Sequence, residues 1–333
     1  MNISHDRRVF IVLGLYRPDP DLLARQLESL VAQTHRNVEV LVCADGLHDP
    51  ASRAVVTSFS RFHVHDVGFD TRAGIHANFA RGLREAVAAS QDDLDLFAFC
   101  DQDDVWHPGK LERQLTYFAD AQTSLCHSDA RIVSRRGEVL VRSLFGHEAR
   151  SRSGAFADLL IMNSVTGMTS VFRRDVAMAA QPFPLSGCRY ILHDHWTALV
   201  ASLLGVIRFI DEPLVDYTQH AGNVMGARLW QGSLPRAITS SRRRAYLRKC
   251  YRQFVWRRRA LDELRRSLGH VPGAVDRLSG DPVRALFDCD AARSAGLALS
   301  IAYRLRGRWR QADQIWRIWR GKSLYCSATG QPA

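Results

Sequence analysis

The sequence predicts an α/β protein: a doubly wound, mostly parallel sheet flanked by helices, followed by a basic helical C-terminal appendage. Three observations lead there. Short apolar runs alternate with stretches of helical period over the first ~105 residues, the pattern of successive βα units. The runs are continuous rather than alternating, as strands buried on both faces of a parallel sheet require. Charge is also partitioned. Residues 1–240 hold 24 Lys+Arg against 27 Asp+Glu, whereas 241–333 hold 21 against 7. The whole net charge of +11 therefore belongs to the last quarter, and the shift at Ser240 and Ser241 divides the chain into domains 1–240 and 241–333.

The elements follow in order. Residues 9–15 (VFIVLGL) form the first strand, closed by the turn YRPDP. Residues 21–32 carry apolar side chains at helical spacing, with Asp19 or Asp21 as N-cap. Residues 38–43 (VEVLVC) make a second strand, ending at Ala44, Asp45 and Gly46. A helix over 52–60 and a short strand over 62–67 come next, then an amphipathic helix over 74–89 (GIHANFARGLREAVAA). Residues 94–100 (LDLFAFC) are a strand that runs into Asp101-Gln102-Asp103-Asp104, and a helix follows over 108–118. Residues 120–220 mix strands, turns and helices, and 241–268 and 283–320 read as helices studded with arginine.

Composition excludes several classes. With 46% hydrophobic and 24% charged residues the chain can bury a core and is not disordered. The longest uncharged apolar stretch, 197–207, falls short of the ~20 residues that span a bilayer. The apolar N-terminal run lacks a small-residue cleavage site and reads as a buried strand, not a signal peptide. Seven scattered cysteines point to reduced, buried thiols in a cytosolic protein rather than to disulfides or zinc. No GxGxxG, P-loop, GxSxG or HExxH motif is present, which weighs against dinucleotide oxidoreductases, P-loop kinases and common hydrolases.

Ligands of open α/β sheets bind where strands end, so the residues just after the strands carry the chemistry. Asp101 and Asp103 have D-x-D spacing, which puts two carboxylates on one side of an extended turn. Two hard oxygens suit Mg2+ or Mn2+ that also holds a diphosphate; the competing reading is a solvated acidic turn. Trp106 is either core or a stacking platform for a sugar. Asp45 closes an Asx turn or meets a nucleobase. Arg72 and Asn78 flank the start of the 74–89 helix, where Arg72 would reach a diphosphate. Further along, YILHDHW places Asp194 between two histidines; it is either a helix N-cap or a general base of raised pKa. His220 lies in the polar loop DYTQHAGNVMG. In the tail, SRRRAYLRKCYRQFVWRRR and RLRGRWRQADQIWRIWRGK interleave arginine with aromatics. Such helices either pack on the catalytic domain or lie on an anionic membrane surface. Nucleic acid is disfavoured because no RRM, OB or helix-turn-helix signature accompanies them.

Taken together, RxGxxxNF, DQDDVW, HSD, NSVTGMTSVFRRD, HDHW and YTQHAGNVMG resemble glycosyltransferase family 2, and within it rhamnosyltransferase-type enzymes of bacterial cell-surface polysaccharide and lipopolysaccharide assembly. The likeness spans roughly residues 8–228. It implies a GT-A fold with a Rossmann-like sheet, a nucleotide-diphosphate sugar donor, Mn2+ or Mg2+, and inverting transfer to a glycan hydroxyl, with rhamnose one candidate sugar and a polyprenyl- or lipid-linked acceptor. It implies Asp194 as the catalytic base. Leu15, Tyr16, Asp45, Arg72, Asn78 and Asp101 would face the nucleotide, and Asp101, Asp103 and His220 the metal. Trp106, Thr166, Gly167, His193 and Trp196 would line the acceptor and donor-sugar pocket. A cytoplasmic protein, peripheral on the inner membrane face, follows from such an acceptor. The turn LGLYRPD and the sequence ADGLHD depart from the commoner forms of these motifs. A catalytically silent binding protein of the same fold, or a nucleotidyltransferase, are the alternatives.

Overall fold

The computed structural model describes residues 7–45, 50–59, 65–66, 73–184, 188, 190–220, 240–280, 283, 286–288, 293–305 and 308–329. Two compact units divide the chain. The first comprises Met1–Gly154, Ser164–Gly187 and Leu192–Ala227; the second comprises Ala155–Asn163, Cys188–Ile191 and Arg228–Ala333.

The first unit is built on a mixed sheet. Its strands are β1 (Val9–Leu15), β2 (Val38–Ala44), β3 (His65–Asp66), β4 (Leu96–Asp101), β5 (Val105–Trp106), β6 (Thr123–Ser134), β7 (Val139–Val141), β8 (Ser170–Arg173) and β9 (Val206–Gln219). The order is β3-β2-β1-β4-β8-β6-β9-β5, with β7 beside β6. From β3 to β4 every pair is parallel. Antiparallel β8 then joins β4 to β6, and β6 pairs in parallel with β9. Of the four parallel strands, β1, β2 and β4 are the apolar runs read from the sequence, β3 is reduced to His65 and Asp66, and β1 is buried along its length apart from Gly14. The strand expected at 94–100 is two residues later at its start and takes in Asp101 at its end.

Helices α1 (Pro20–Val31), α2 (Pro50–Ser58) and α3 (Ile75–Ala89) connect the parallel strands. Asp19 is the N-cap of α1, its carboxylate accepting from the amides of Asp21 and Leu22 at 3.1 and 3.3 Å. Gly82 of α3 rests on the sheet so closely that a Cβ would lie 2.2 Å from Cys43 Sγ and 2.5 Å from Val12 Cγ1. That close approach lets Asn78, one turn earlier, donate from Nδ2 to the carbonyls of Cys43 (2.8 Å) and Leu15 (3.3 Å). The N-terminal end of α3 is thereby tied to the carboxyl ends of β1 and β2. The helix expected at 108–118 is shorter: α4 (Lys110–Leu115) passes into a 3-10 turn. Next come α5 (Leu144–Glu148), α6 (Phe156–Ile161), α7 (Arg174–Ala179) and α8 (His193–Leu204); of these, α6 belongs to the second unit.

That unit is helical: α9 (Ser240–Leu268), α10 (Ala274–Ser279), α11 (Arg293–Leu305) and α12 (Trp309–Thr329) join α6. Its arginines are not all solvated. Arg257 is buried and donates to the carbonyls of Leu160 (2.8 Å) and Ile161 (3.2 Å), satisfying the C-terminal end of α6. Burial lowers its pKa to about 10. Phe254 is fully buried and stacks on Phe287, while Trp309 is 64% exposed. The six described cysteines are all buried thiols. Among the described residues no helix is long and apolar enough to cross a membrane.

Because Gly82 has no room for a methyl group, Gly82→Ala is expected to destabilise the fold by about 1–3 kcal/mol, lowering the urea midpoint. A midpoint equal to that of the parent would show that α3 adjusts freely.

Candidate active site

Three partly accessible carboxylates, Asp101, Asp103 and Asp194, and one fully buried carboxyl, Asp104, gather at the carboxyl end of β4. The backbone puts them there. Asp101 is the last residue of β4 and pairs opposite Gly14 of β1. Gln102 then continues the pairing with its side chain: its Oε1 accepts from the Tyr16 amide at 2.7 Å and its Nε2 donates to the Tyr16 carbonyl at 3.1 Å. Asp103 turns outward, and its Oδ2 lies 2.7 Å from Nε2 of His220, just beyond β9. Asp104 turns inward and accepts from the Thr218 amide at 3.1 Å, anchoring the turn to β9.

Asp194 arrives from the other end of the sequence, in the first turn of α8. The N-cap position is taken by Leu192, so the capping alternative for Asp194 does not hold. Its carboxylate accepts from the His195 amide at 2.6 Å and from the Gly167 amide. Gly167 packs closely beside this approach: a Cβ there would stand 3.1 Å from His193 Nε2, which would have to shift, and 3.6 Å from Asp194 Cβ, an ordinary contact. His193 stacks on Phe79 with ring centroids 3.8 Å apart and meets Phe99 edge-on. Neither of its ring nitrogens has a hydrogen-bond partner among the described residues. Burial lowers its pKa to about 3, so it is neutral.

The electrostatics follow from crowding. Burial, then the charges of Asp103 and Asp194, raise Asp101 to about 7. Burial raises Asp194 to about 6, opposed by its amide donors and by the charge of Arg150. Asp104 is raised far above the carboxylate range, first by burial and then by Asp103 and Asp101, and is held neutral. Two accessible carboxylates with an imidazole beside them form a donor set that fits a small hard divalent ion held partly by a ligand's phosphates. The repulsion that Asp101 bears is what a cation would relieve. Among the described residues no group of three or more His, Cys, Asp or Glu side chains is gathered into a metal cage of its own.

Other expected site residues have structural roles. Both oxygens of Asp45 are taken by the amides of Ala73 (2.6 Å) and Gly74 (2.9 Å), which close the entry to α3. The Leu15 side chain is in the core, and its carbonyl accepts from Asn78. Trp106 is corrected from pocket wall to core residue: it is 1% exposed, with Lys110 Nζ 3.4 Å from its ring centroid. Trp196 is likewise core, its Nε1 donating to the Ala180 carbonyl at 2.9 Å. Thr166 and Gly167 do stand beside Asp194, and Tyr16 lies at the rim next to Gln102. Arg72 and residues 221–226 of the His220 loop lie outside the described residues. Sequence reasoning missed Arg150, whose Nη1 donates to Thr166 Oγ1 at 2.7 Å and whose Nε meets Glu148 Oε2 at 2.8 Å. It also missed buried Lys110, whose pKa burial lowers to about 7.

Comparison with known proteins bears on this arrangement. The profile described as glycosyl transferase family 2 matches residues 11–179. An uncharacterized glycosyltransferase of Nostoc sp. is 26% identical over 211 residues, covering 60% of this chain and 62% of the relative. Hyaluronan synthase of Streptococcus pyogenes is 25% identical over 182 residues, covering 52% of this chain and 42% of the synthase. The chain thus matches about half the length of these relatives. Among solved structures, S. aureus TarS 1–349 in complex with UDP-GlcNAc superposes with a TM-score of 0.55 at 13% identity, over 93% of this chain and 81% of that one. A mannosyltransferase from Pyrobaculum calidifontis, in complex with GDP-Man and Mn2+, gives 0.51 at 16% identity, over 95% and 87%. These two likenesses establish the GT-A type of fold.

The Asp194 shift has a signed consequence for stability. A carboxyl whose folded pKa is raised to about 6 favours the folded state when protonated. That contribution is complete below about pH 4 and is lost as pH rises through 6. Asp194→Asn is therefore expected to be more stable than the parent at pH 8, by at most about 3 kcal/mol before solvent screening. The margin in Tm should shrink to near zero at pH 4. A margin independent of pH would place the Asp194 charge in a relaxed, solvated setting.

Proposed function

Since the chain belongs to glycosyl transferase family 2, we propose that it moves a sugar from a nucleoside diphosphate carrier to an acceptor hydroxyl, with inversion, using Asp194 as the base. The observation that carries this reading is the convergence of Asp194, from α8, on the Asp101–Asp103 end of β4. Two carboxylate groups with different tasks meet at one rim. The relatives' names and the UDP-GlcNAc and GDP-Man of the two structural neighbours support a nucleotide-sugar donor.

In this reading Asp101, Asp103 and His220 hold a divalent cation, as the Mn2+ of the mannosyltransferase neighbour supports. When bound, the cation offsets negative charge on the departing diphosphate. The chain's own residues do the rest. Gln102 and Asn78 keep the ends of β1, β2 and β4 in register, so the nucleotide meets a rigid rim. Asp194, with a pKa of about 6, is ionised at neutral pH yet basic enough to take the acceptor proton as the new bond forms. His193, neutral and wedged between Phe79 and Gly167, keeps the wall behind Asp194 apolar and adds no competing charge.

The resemblance of the motifs to rhamnosyltransferases favours rhamnose as the sugar and a polyprenyl- or lipid-linked surface glycan as acceptor. Exposed Trp309 and Ile301, with Arg304 and Arg310 beside them in sequence and also exposed, supply an aromatic and basic surface for an anionic membrane.

A panel of nucleotide sugars that includes UDP-GlcNAc, GDP-mannose and a nucleotide-linked rhamnose, scanned for thermal stabilisation with and without Mn2+, tests the donor. A donor present at 100 times its Kd stabilises by about 2.7 kcal/mol. The matching donor is expected to raise Tm only with the metal; a flat panel would remove the reading. Once the donor is known, Asp194→Asn should bind it normally and lose at least 100-fold in nucleoside diphosphate release. Full turnover by that variant would show that another group takes the proton.

A further inference from the structure

We propose that Arg150 is the positioning residue of the site: it fixes Thr166, and through it the Gly167 amide, at the place from which that amide donates to the Asp194 carboxylate. The inference rests on the transfer reading, which gives Asp194 its task, and adds a part of the machinery that no motif marks.

Four observations carry it. First, the guanidinium is used as a fork, with Nε on Glu148 Oε2 at 2.8 Å and Nη1 on Thr166 Oγ1 at 2.7 Å. Glu148 thus aims the plane and Thr166 receives it, a geometry a point charge cannot copy. Second, the backbone is bent to allow this. Ala149 has φ 45° and ψ 48°, a left-handed conformation at a non-glycine residue. It reverses the chain after α5, so that the Arg150 amide returns to the Phe145 carbonyl at 3.0 Å. Strain of this kind persists where the surroundings over-determine it. Third, Thr166 and Gly167 are consecutive. Thr166 is the N-cap of the 3-10 turn at Gly167–Thr169, and its carbonyl accepts from the Thr169 amide at 3.0 Å. Holding the Thr166 side chain therefore holds the peptide whose N–H reaches Asp194. Fourth, the fit is close, since a Cβ on Gly167 would stand 3.1 Å from His193 Nε2 and 3.6 Å from the Asp194 side-chain Cβ.

Arg150 also acts by charge. Asp194 bears by charge on Asp101 of β4, and Arg150, after α5, bears on Asp194. His193 and His195 are on its own helix, and His76 of α3 faces His193. The positive charge of Arg150 favours the ionised Asp194 carboxylate, against the burial that raises it. A site with two carboxylates already crowded needs such a counterweight to keep the third ionised.

The test requires no ligand. The 13C-carboxyl signal of Asp194, assigned by its loss in Asp194→Asn, is titrated from pH 4 to 9 in the full chain. In Arg150→Met the midpoint is expected to rise by about one pH unit. In Arg150→Lys, which keeps the charge, it should rise by less than half as much. Thr166→Val should also raise it, whereas Thr166→Ser, which keeps the hydroxyl, should leave it in place. If Arg150→Met does not fold, the lysine and Thr166 variants decide. A midpoint unchanged across folded Arg150 and Thr166 variants overturns the proposal. Undiminished nucleoside diphosphate release by Asp194→Asn overturns instead the transfer reading beneath it.

Discussion

Carboxylate crowding at the end of β4 is the constraint on which the rest of the structure turns. Asp101, Asp103 and Asp104 leave the sheet in four residues, and Asp194, on α8, lies near enough for its charge to act on Asp101. Like charges in a recessed site repel, and the molecule bears this in three ways. Asp104 is buried and neutral. Asp194 is drawn back by amide donors and by Arg150. Asp101 carries the remainder as a raised pKa, a strain that a bound cation would release. An arrangement that costs stability and persists is what functional sites impose on a fold.

The surrounding architecture limits where that charge can go. Continuous apolar strands make the sheet interior closed to water, so the carboxylates can only sit at its rim. Side-chain hydrogen bonds then make the rim stiff: Gln102 extends the β1–β4 pairing by one step, and Asn78 spans β1 and β2. Asp45, at the end of β2, spends both oxygens on the entry to α3. Rigidity matters because positioning supplies much of the rate when a reaction offers the protein little covalent chemistry.

Much of this was legible in the sequence. Strands β1, β2 and β4 were visible as apolar runs, and the acidic cluster as a strand exit, because both signals are local. Asp194 was legible as a candidate, yet its capping alternative could be removed only by seeing Leu192 occupy the N-cap position. Trp106 and Trp196 show the limit. A tryptophan next to a motif reads the same whether its ring meets a sugar or the core, and the packing of Lys110 against Trp106 is a tertiary fact. Arg150 was invisible for a related reason. Its turn is made by Ala149 in a left-handed conformation, where sequence reasoning looks for glycine or asparagine. The tail was legible as basic helices. That its arginines also serve the interior, as Arg257 does for α6, was not, because charge patterns read as solvated faces.

The central claim is that burial and the charges of Asp103 and Asp194 raise the Asp101 carboxyl, so that a cation bound there with a diphosphate, as proposed, would displace a proton. Calorimetry of Mn2+ binding in the presence of UDP or GDP, run in buffers of different ionisation enthalpy, measures that proton directly. The account predicts proton release near pH 6.5 that fades by pH 8.5 and is absent in Asp101→Asn. Binding heats with no buffer dependence, or a release that persists unchanged in Asp101→Asn, would contradict it.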